Sequence, residues 1–179
     1  MTSLETERLR LRQFREADLD QYAAIVANPE TMAFMGGPRD RARAWMDIAW
    51  CLGHWTLRGY GLWAAEEKTS GRLVGRIGLL NPEGWPGLEV GWLVARSHWG
   101  RGLATEGGRA SLAYAFGTVG AEHVISLIRP DNAASIRVAE KLGERPESRT
   151  ELFGEEALVY GIARPADLEL GLELGSDSI

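Results

Sequence analysis

The stretch L-E-V-G-W-L-V-A-R-S-H-W-G-R-G-L-A-T-E-G-G-R-A-S, from Leu88 to Ser111, decides the fold because it joins three kinds of local structure in one run. It starts as an apolar strand, passes through a turn containing Gly100 and Gly102, and continues as an Ala-rich segment with helical spacing. Glycines allow the backbone to approach an anion closely, and the first turn of a helix presents unpaired N–H groups and the positive end of its dipole. The stretch therefore predicts a phosphate-binding cradle.

The composition is typical of an ordinary soluble globular protein. The chain has 179 residues, of which 45% are hydrophobic and 25% charged, and this suits one domain with a sizeable core. A single cysteine, together with His54 and His98 that have no partners at metal-ligand spacing, predicts no bound metal. The formal net charge of −5 disfavours a nucleic-acid partner. Since no apolar run is long enough to span or signal for a membrane, we expect no membrane contact and a cytoplasmic location.

The hydrophobic spacing changes between helix and strand along the chain. Asp18 is placed to act as the N-cap of a helix of about ten residues, and further helices are predicted at 39–58, 103–116 and 131–142. Gly143 is placed to end the last of these. Strands are predicted at 9–14, 61–68, 72–80, 88–95, 123–128, 147–153 and 156–163. The acidic residues 165–179 are predicted to form a loosely attached C-terminal tail.

By pattern alone, Gly100-x-Gly102-x-x-Thr105 is close to a dinucleotide-binding fingerprint that lacks its third glycine. A Rossmann domain requires its strand–helix–strand unit early in a longer sheet and an acidic residue at the end of the next strand. Here the next strand ends in Arg129-Pro130, and other elements fill the chain before the motif. These features disfavour a Rossmann domain.

Three motifs in succession resemble the GNAT family of N-acetyltransferases and, more narrowly, its RimJ/RimL-like branch. They are the Glu-bearing strand L-E-V-G-W, the turn W-G-R-G-L-A-T-E from Trp99, and the helix N-A-A-S-I-R-V-A-E-K-L-G from Asn132. The opening E-T-E-R-L-R-L-R-Q-F and the segment N-P-E-T-M also resemble that branch, so the resemblance covers about residues 4–163. It implies an α/β GNAT fold in a single domain at 1–164, with a mixed, mostly antiparallel sheet of about 6–7 strands and about four flanking helices.

The resemblance implies that acetyl-CoA is the cosubstrate and that its pyrophosphate binds the cradle. The implied cradle contacts are Gly100, Arg101, Gly102, Leu103, Ala104 and Thr105. The strand at Leu93 and Val94 would diverge from the strand near residues 126–127 and pair through its backbone with the pantetheine arm. Asn132 would hydrogen-bond the pantetheine, or it is a plain N-cap of the last helix. Trp99 stands where the family usually has Arg or Gln, a departure that is frequent in this branch.

Acetyl transfer to an amine requires a group that takes a proton from an ammonium, and a carboxylate in a partly dry cleft can do this. Glu89 lies in an otherwise apolar strand, so it is either this base or a side chain that points to solvent on the alternating face. Many relatives use a tyrosine near the departing thiolate, but Ala139 occupies that position here. The resemblance gives the role to Ser135, as a hydrogen-bond donor to the sulfur, against the alternative of an ordinary helix serine.

These expectations amount to an N-acetyltransferase that moves an acetyl group from acetyl-CoA to a primary amine by direct attack in a ternary complex. The sequence leaves open whether the acceptor is a protein N-terminus or a small-molecule amine. We expect it to enter between the region 34–58 and the loops around Trp85 and Phe153. A homodimer is common in this branch. The alternative from another class is a non-catalytic acyl-CoA sensor or interaction module with the same fold.

Overall fold

A computed structural model describes residues 2–166 and shows one eight-stranded sheet in the order β1-β2-β3-β4-β5-β6-β8-β7. All neighbouring strands are antiparallel except β5 and β6, which are parallel. The strands are Leu4–Glu5 (β1), Leu9–Arg12 (β2), Leu62–Glu67 (β3), Arg72–Leu80 (β4), Glu89–Val94 (β5), His123–Ile128 (β6), Arg145–Leu152 (β7) and Glu155–Ala163 (β8). The helices are Leu19–Val26 (α1), Arg41–Arg58 (α2), Leu103–Tyr114 (α3) and Ala133–Leu142 (α4).

The predicted mixed, mostly antiparallel sheet with four flanking helices is confirmed. The sheet has one strand more than the upper prediction, because Leu4–Glu5 pairs with β2 at the edge. Two residues are too few to show an alternating pattern, so this strand has no sequence signal. The predicted tail at 165–179 lies almost entirely outside the described residues.

Asp18 is the N-cap residue of α1, as predicted, but its side chain makes no capping hydrogen bond to that helix. Its carboxylate accepts two hydrogen bonds from the Arg12 guanidinium, each 2.8 Å long, and one from the Arg15 amide, also 2.8 Å. Residues Glu16–Asp18 form a single 3-10 turn that leads directly into α1. The ion pair with Arg12 depends on strand β2, and this explains why helix periodicity alone did not indicate it.

The two faces of the sheet are covered by different helices. Helices α1 and α2 bury one face, with Tyr22, Ile48 and Cys51 packed against Ala64 and Leu93 of the sheet. Helix α3 buries the other face together with a set of large side chains that includes Trp63, Ile77, Val90 and Leu112. Strand β4, in the middle, is buried over most of its length. None of the helices within residues 2–166 is long and apolar enough to cross a bilayer.

Helix α4 has both of its termini where the sequence indicates them. Asn132 is the N-cap, and Gly143 ends the helix with a φ of +92°, a left-handed conformation that glycine adopts at little cost. The chain then returns through β7 and β8, and β8 lies between β7 and β6. The start of α4 is thereby held at the edge of β6 that faces β5.

Candidate functional site

The turn between β5 and α3 leaves a row of backbone amides without partners. Gly100 and Gly102 have φ values of +74° and +77°, which bend the chain sharply into the helix. Gly102 is the N-cap of α3 and provides no side-chain cap. Within residues 2–166, the amides from Gly100 to Thr105 donate no hydrogen bond, and the first helical bond joins the Glu106 amide to the Gly102 carbonyl at 3.0 Å. These consecutive amides at the positive end of α3 are available to an anion.

Side chains from the first strands hold this turn in place. Arg8 donates from Nη1 to the Arg101 carbonyl at 2.7 Å and from Nε to Glu106 at 2.6 Å. Glu106 also accepts from the Arg8 amide at 2.7 Å and from the Thr6 hydroxyl at 2.6 Å. The Arg101 side chain is paired with Glu67 of β3 at 2.5 Å. Contacts within the chain therefore hold the shape of the cradle.

An open groove of about 500 Å³ borders the cradle. Gly102 and Thr105 line it together with three basic side chains, those of Arg8, Arg109 and Lys141. Glu7 and Glu106 also line the groove, so three basic side chains face two acidic ones, and Glu106 is already paired with Arg8. The surroundings of the cradle thus add positive charge to the helix dipole.

Strands β5 and β6 part immediately after Glu89. Their parallel pairing contains the single pair Glu89 and Ile125. In a continued parallel ladder the next inward amide of β6, that of Leu127, would donate to the Val90 carbonyl. Instead, the Val90 carbonyl accepts from the Ser126 hydroxyl at 2.9 Å, and the Leu127 amide interacts with the Glu89 carboxylate. Two side chains therefore close the apex of a gap that extends along β5 toward the cradle, as the predicted divergence requires.

The backbones of Leu93 and Val94, the two residues predicted to pair with a ligand, point in opposite directions along β5. The carbonyls of Val90 and Val94 both point into the gap, because each accepts a side-chain donor from that side. Backbone groups alternate in direction along a strand, so Trp92 also points into the gap while Leu93 points to β4. The backbone of Val94 therefore faces the gap, as its predicted pairing requires. The backbone of Trp92 faces the gap where that of Leu93 was predicted to. Sequence reasoning missed this because the direction follows from the pairing with β4.

Trp99 folds back onto the end of β5. Its indole Nε1 donates to the Val94 carbonyl at 2.7 Å, and the Arg96 guanidinium lies 5.0 Å from the ring centroid. The side chain remains 43% exposed. Trp99 therefore fastens the strand to the cradle and occupies one carbonyl of the gap.

On the other side of the gap, α4 begins with both of the predicted polar residues. Asn132 caps the helix by accepting from the Ser135 amide at 3.1 Å, and its side-chain NH₂ group stays available. The Trp92 indole donates to the Ser135 hydroxyl oxygen at 3.2 Å. Because an indole only donates, the serine keeps its own hydrogen for another acceptor. Ser135 is therefore an oriented donor that β5 holds across the gap.

Glu89 is a buried carboxyl at the apex of the gap. Only 9% of the residue is exposed, which excludes the alternative that it points to solvent. Burial raises the pKa of Glu89 to about 7, although the Trp85 indole, the Leu127 amide and the positive charge of Arg76 favour the ionised form. The Trp85 bond to the carboxylate is 2.6 Å long. A carboxyl that titrates near neutrality can accept and return a proton.

The predicted loops around Trp85 and Phe153 meet beside Glu89. Their ring centroids are 6.0 Å apart, and Phe153 is an exposed residue at the tip of the β7–β8 hairpin. Because Trp85 also bonds Glu89, this pair of loops borders the carboxyl directly. One wall of an entrance to Glu89 is thereby defined.

A second buried carboxyl, Glu144, stands behind the apex and was not predicted. It is fully buried, and its Oε1 lies 3.1 Å from the Ser126 hydroxyl. Ser126 has one hydrogen, which it can donate either to Glu144 or to the Val90 carbonyl; when Val90 receives it, the contact with Glu144 needs a proton on the carboxyl. Burial together with the negative charges of Glu89 and Glu147 raises the pKa of Glu144 to about 8, which favours the protonated carboxyl at neutral pH.

We predict that the stability contributed by Glu144 is lost as the pH rises from about 4.5 to 8. The folded state holds the Glu144 proton more tightly than the unfolded chain, so its contribution is complete below the ordinary pKa of 4.5 and is lost as the pH passes about 8. Glu89 adds to the same trend up to about pH 7. Urea unfolding at pH 5 and pH 8 measures the slope. Glu144→Gln should reduce the loss by roughly 1–3 kcal/mol.

The same substitution at Glu140, which is exposed on α4, is the matched control for this measurement. It should leave the pH dependence of the wild type intact. Equal slopes for Glu144→Gln and the wild type would show that the Glu144 carboxyl is already ionised at neutral pH.

The described residues contain no group of three or more His, Cys, Asp or Glu side chains arranged to hold a metal ion. Cys51 is buried between α2 and the sheet, and burial raises the pKa of its thiol. It is therefore a packing residue, and the polar groups of the gap carry any chemistry of this site.

Comparisons with known proteins identify related sequences and structures. A family model described as an acetyltransferase (GNAT) domain matches residues 8–145. The uncharacterized protein YkkB of Bacillus subtilis is 35% identical over 169 residues, which are 89% of this chain and 94% of that protein. The crystal structure of an acetyltransferase from Agrobacterium tumefaciens aligns with a TM-score of 0.82 and 32% identity, over 92% of this chain and 95% of that one.

A more distant structure shares only the fold. RimL, described as a ribosomal L7/L12 alpha-N-protein acetyltransferase in complex with coenzyme A, aligns with a TM-score of 0.73 and 15% identity, over 90% of this chain and 98% of that one.

Proposed function

Because the chain belongs to the GNAT acetyltransferase family, we propose that it transfers the acetyl group of acetyl-CoA to a primary amine by direct attack in a ternary complex. The gap between β5 and β6 carries this proposal, since unpaired amides lie at one end and the buried carboxyl of Glu89 at the other. Acetyl-CoA supplies the activated acetyl thioester. Residues 1–164 form the catalytic domain in this proposal, and the protein acts in the cytoplasm without a metal.

The proposed binding residues follow the gap from end to end. The cradle amides, those of Gly100, Arg101, Gly102, Leu103, Ala104 and Thr105, bind the pyrophosphate. The backbone groups of Trp92 and the amide of Val94 pair with the pantetheine arm, and the Asn132 side-chain NH₂ donates to it. Leu93 takes part only by placing these neighbours, because its own backbone is directed to β4. Positive charge around the cradle supports the binding of phosphates.

The proposed reaction needs one proton acceptor and one hydrogen-bond donor. Glu89 takes a proton from the acceptor ammonium, directly or through water, so that the nitrogen can attack the thioester carbonyl. As the C–N bond forms and the C–S bond breaks, Ser135 donates a hydrogen bond to the leaving sulfur. The nitrogen releases its second proton to solvent and the thiolate takes one up from solvent, so the products are the amide and the thiol of CoA. Most of the remaining rate enhancement comes from holding the amine and the thioester together.

Membership of the RimJ/RimL-like branch is part of the proposal and is supported by the three motifs and by the shared fold. The proposed acceptor is a protein N-terminus or a small-molecule amine. The position of Ala139, where many relatives have a tyrosine, favours the sensor module as a second candidate function, since a usual proton donor is missing. A homodimer is also proposed, by analogy with this branch.

A thiol-release assay separates the two functions. Purified protein is incubated with acetyl-CoA and a panel of amines that includes N-terminal Ser and Ala peptides, amino acids, polyamines and aminoglycosides. Acceptor-dependent thiol release supports the enzyme. Protection of the fold against heating by CoA, without release from any acceptor, supports the sensor module.

We predict that Ser135→Ala lowers kcat by about 10- to 100-fold, the effect of removing a hydrogen bond to a charged sulfur. KM for acetyl-CoA should stay within about threefold, because the backbone bond from residue 135 to Asn132 does not need the hydroxyl. Steady-state kinetics on the best acceptor measures both constants. Trp92→Phe, which keeps the ring and removes the donor to Ser135, should give a smaller loss of the same kind. An unchanged kcat for Ser135→Ala would remove the hydroxyl from the mechanism.

A further inference from the structure

A buried cation on the α1–α2 face of the sheet has no counter-ion. Arg76 lies in the middle of β4, opposite Leu93 of β5, and only 8% of the residue is exposed. A guanidinium stays protonated under all conditions in which proteins fold. Since buried charges in proteins are almost always paired, this position needs an explanation.

The groups that face Arg76 from α1 and α2 do not neutralise it. No carboxylate within residues 2–166 forms an ion pair with Arg76, and Asp47 of α2, which acts on it at longer range, is already paired with Arg39. Tyr22 of α1 and Cys51 of α2 act on Arg76 most strongly, and the Cys51 side chain is also a hydrogen-bond partner of the guanidinium. Burial raises the pKa of both, so both stay neutral near pH 7.

The Arg76 guanidinium is buried but retains some solvent-accessible surface. In the part of the chain that the structure describes, Glu144 Oε2 is the only fully buried side-chain nitrogen or oxygen without a hydrogen-bond partner. Guanidinium nitrogens of Arg76 that lack a partner must therefore touch accessible space.

Arg76 shares this face with Glu89. Residues 89, 91 and 93 of β5 point to one face, and Arg76 stands directly across from Leu93. Leu93 lies four residues from Glu89, a distance of about 13 Å at ~3.3 Å per residue. The charge of Arg76 acts on the Glu89 carboxyl, so the two side chains belong to one electrostatic environment.

We propose that Arg76 binds an anionic group of the acceptor, so that the acceptor is a primary amine that also carries a carboxylate, phosphate or phosphonate. This inference rests on the proposed function and names its substrate class. The amine lies at Glu89 and the anion at Arg76, whose backbone positions are separated by about 13 Å along the strands and by one strand spacing across them. The chain as a whole carries a net charge of −5, so this attraction is local and does not come from the overall field.

Pairs of acceptors that differ only in the anion test the proposal. Suitable pairs are 4-aminobutyrate with butylamine, phosphoethanolamine with ethanolamine, and lysine with cadaverine. For the wild type, the anionic member should have a kcat/KM at least about 10-fold higher, the range of a charge-assisted bond. Arg76→Met should bring the ratio of the two kcat/KM values close to one. The ratio is compared at a pH well above 7, where Glu89 stays ionised, because the lost charge also acts on that carboxyl and changes the rate with both members of a pair. Arg76→Lys should keep part of the preference, because it keeps the charge but loses the planar fork.

Arg72→Met is the matched control, since Arg72 lies on the same strand but is exposed. It should leave every ratio unchanged. A wild-type preference for the uncharged or polyamine members would overturn the proposal. An Arg76→Met variant that loses both members of a pair to the same extent would also overturn it, because that loss would indicate a purely structural role.

A binding measurement keeps this proposal distinct from the proposed function. If no acceptor in the panel gives thiol release, the proposed function fails, and thermal unfolding with CoA present then decides the role of Arg76. Saturable stabilisation by the anionic amines, absent in Arg76→Met and retained in Arg72→Met, would support an anion site. Equal stabilisation of the wild type and Arg76→Met would exclude it.

Discussion

Gly102→Asp is expected to weaken CoA binding about 100-fold while the chain still folds. Two like charges about 4 Å apart at an effective dielectric of 20 repel by about 4 kcal/mol, and solvent screening at this exposed turn reduces the effect to about half. An aspartate at the N-cap also competes for the amides of α3 that the proposal gives to the pyrophosphate. The substitution fits, because an added Cβ meets only Arg8 Nη2 at 3.5 Å.

Thermal unfolding with CoA measures this effect. At CoA concentrations 100 times the wild-type Kd, binding stabilises the protein by about 2.7 kcal/mol, which raises Tm by roughly 5–10 °C. A 100-fold weaker variant retains about 0.4 kcal/mol, or roughly 1–2 °C.

Two further variants separate charge from backbone strain in this experiment. Gly102→Asn has the same size and a similar tolerance of positive φ, so it should lose much less affinity than the aspartate. Gly120→Asp places the same residue at an exposed φ of +76° far from the cradle, with nothing within 4 Å of the new Cβ. It should lower the apo Tm to a similar extent and keep the full CoA response. Identical CoA responses for Gly102→Asp and Gly102→Asn would show that no anion binds at this helix end.

Glu89→Gln is expected to lower kcat/KM by about 100- to 10,000-fold at pH 7, the usual contribution of a general base. For the wild type, kcat/KM should rise up to about pH 7 as Glu89 ionises and then level off until the acceptor amine itself loses its proton. In the glutamine variant the rate should follow the free amine instead, with a slope of one up to the pKa of the amine. The two profiles should converge above that pKa, where no base is needed.

A pH series with one acceptor therefore tests the base more sharply than activity at a single pH. The glutamine can still accept from the Trp85 indole through its side-chain carbonyl, so the local structure should persist. CoA protection against heating should equal that of the wild type and serves as the internal control. A constant ratio of the two rates across the whole pH range would mean that Glu89 positions groups and does not move a proton.

The local features of the fold and of the cradle could be predicted from the sequence because neighbouring residues produce them. The change from an apolar strand to Gly100, Gly102 and a helical segment specifies a turn with free amides, whatever else the chain does. Gly143 likewise ends α4 because glycine adopts a left-handed conformation easily. By contrast, aspartate is a typical N-cap residue, but the Asp18 side chain is bound to Arg12 of β2. The spacing of residues in the helix does not indicate this contact.

The features of the site that depend on residues distant in sequence could not be predicted. The cradle is held by Arg8, which lies 98 residues before its partner Glu106. The hydrogen bonds of Ser126 involve Glu144, which follows a helix. Nothing in the sequence around Glu144 indicates that it is buried. Arginine is a residue type that usually lies at the surface, so the sequence suggests an exposed Arg76. Only the packing of α1 and α2 over the sheet shows that its charge is buried and without a counter-ion.

The sequence by itself therefore determined the order of the elements, the turn with free amides and the family, because these follow from local spacing and from motifs that neighbouring residues form. The tertiary structure decided which atoms face the gap. Strand pairing alone places the backbone of Trp92 in the gap and turns Leu93 to β4, since alternation along a strand has no direction until a neighbour sets the register. Burial at the apex, a property of the packed sheet, gives Glu89 a pKa of about 7.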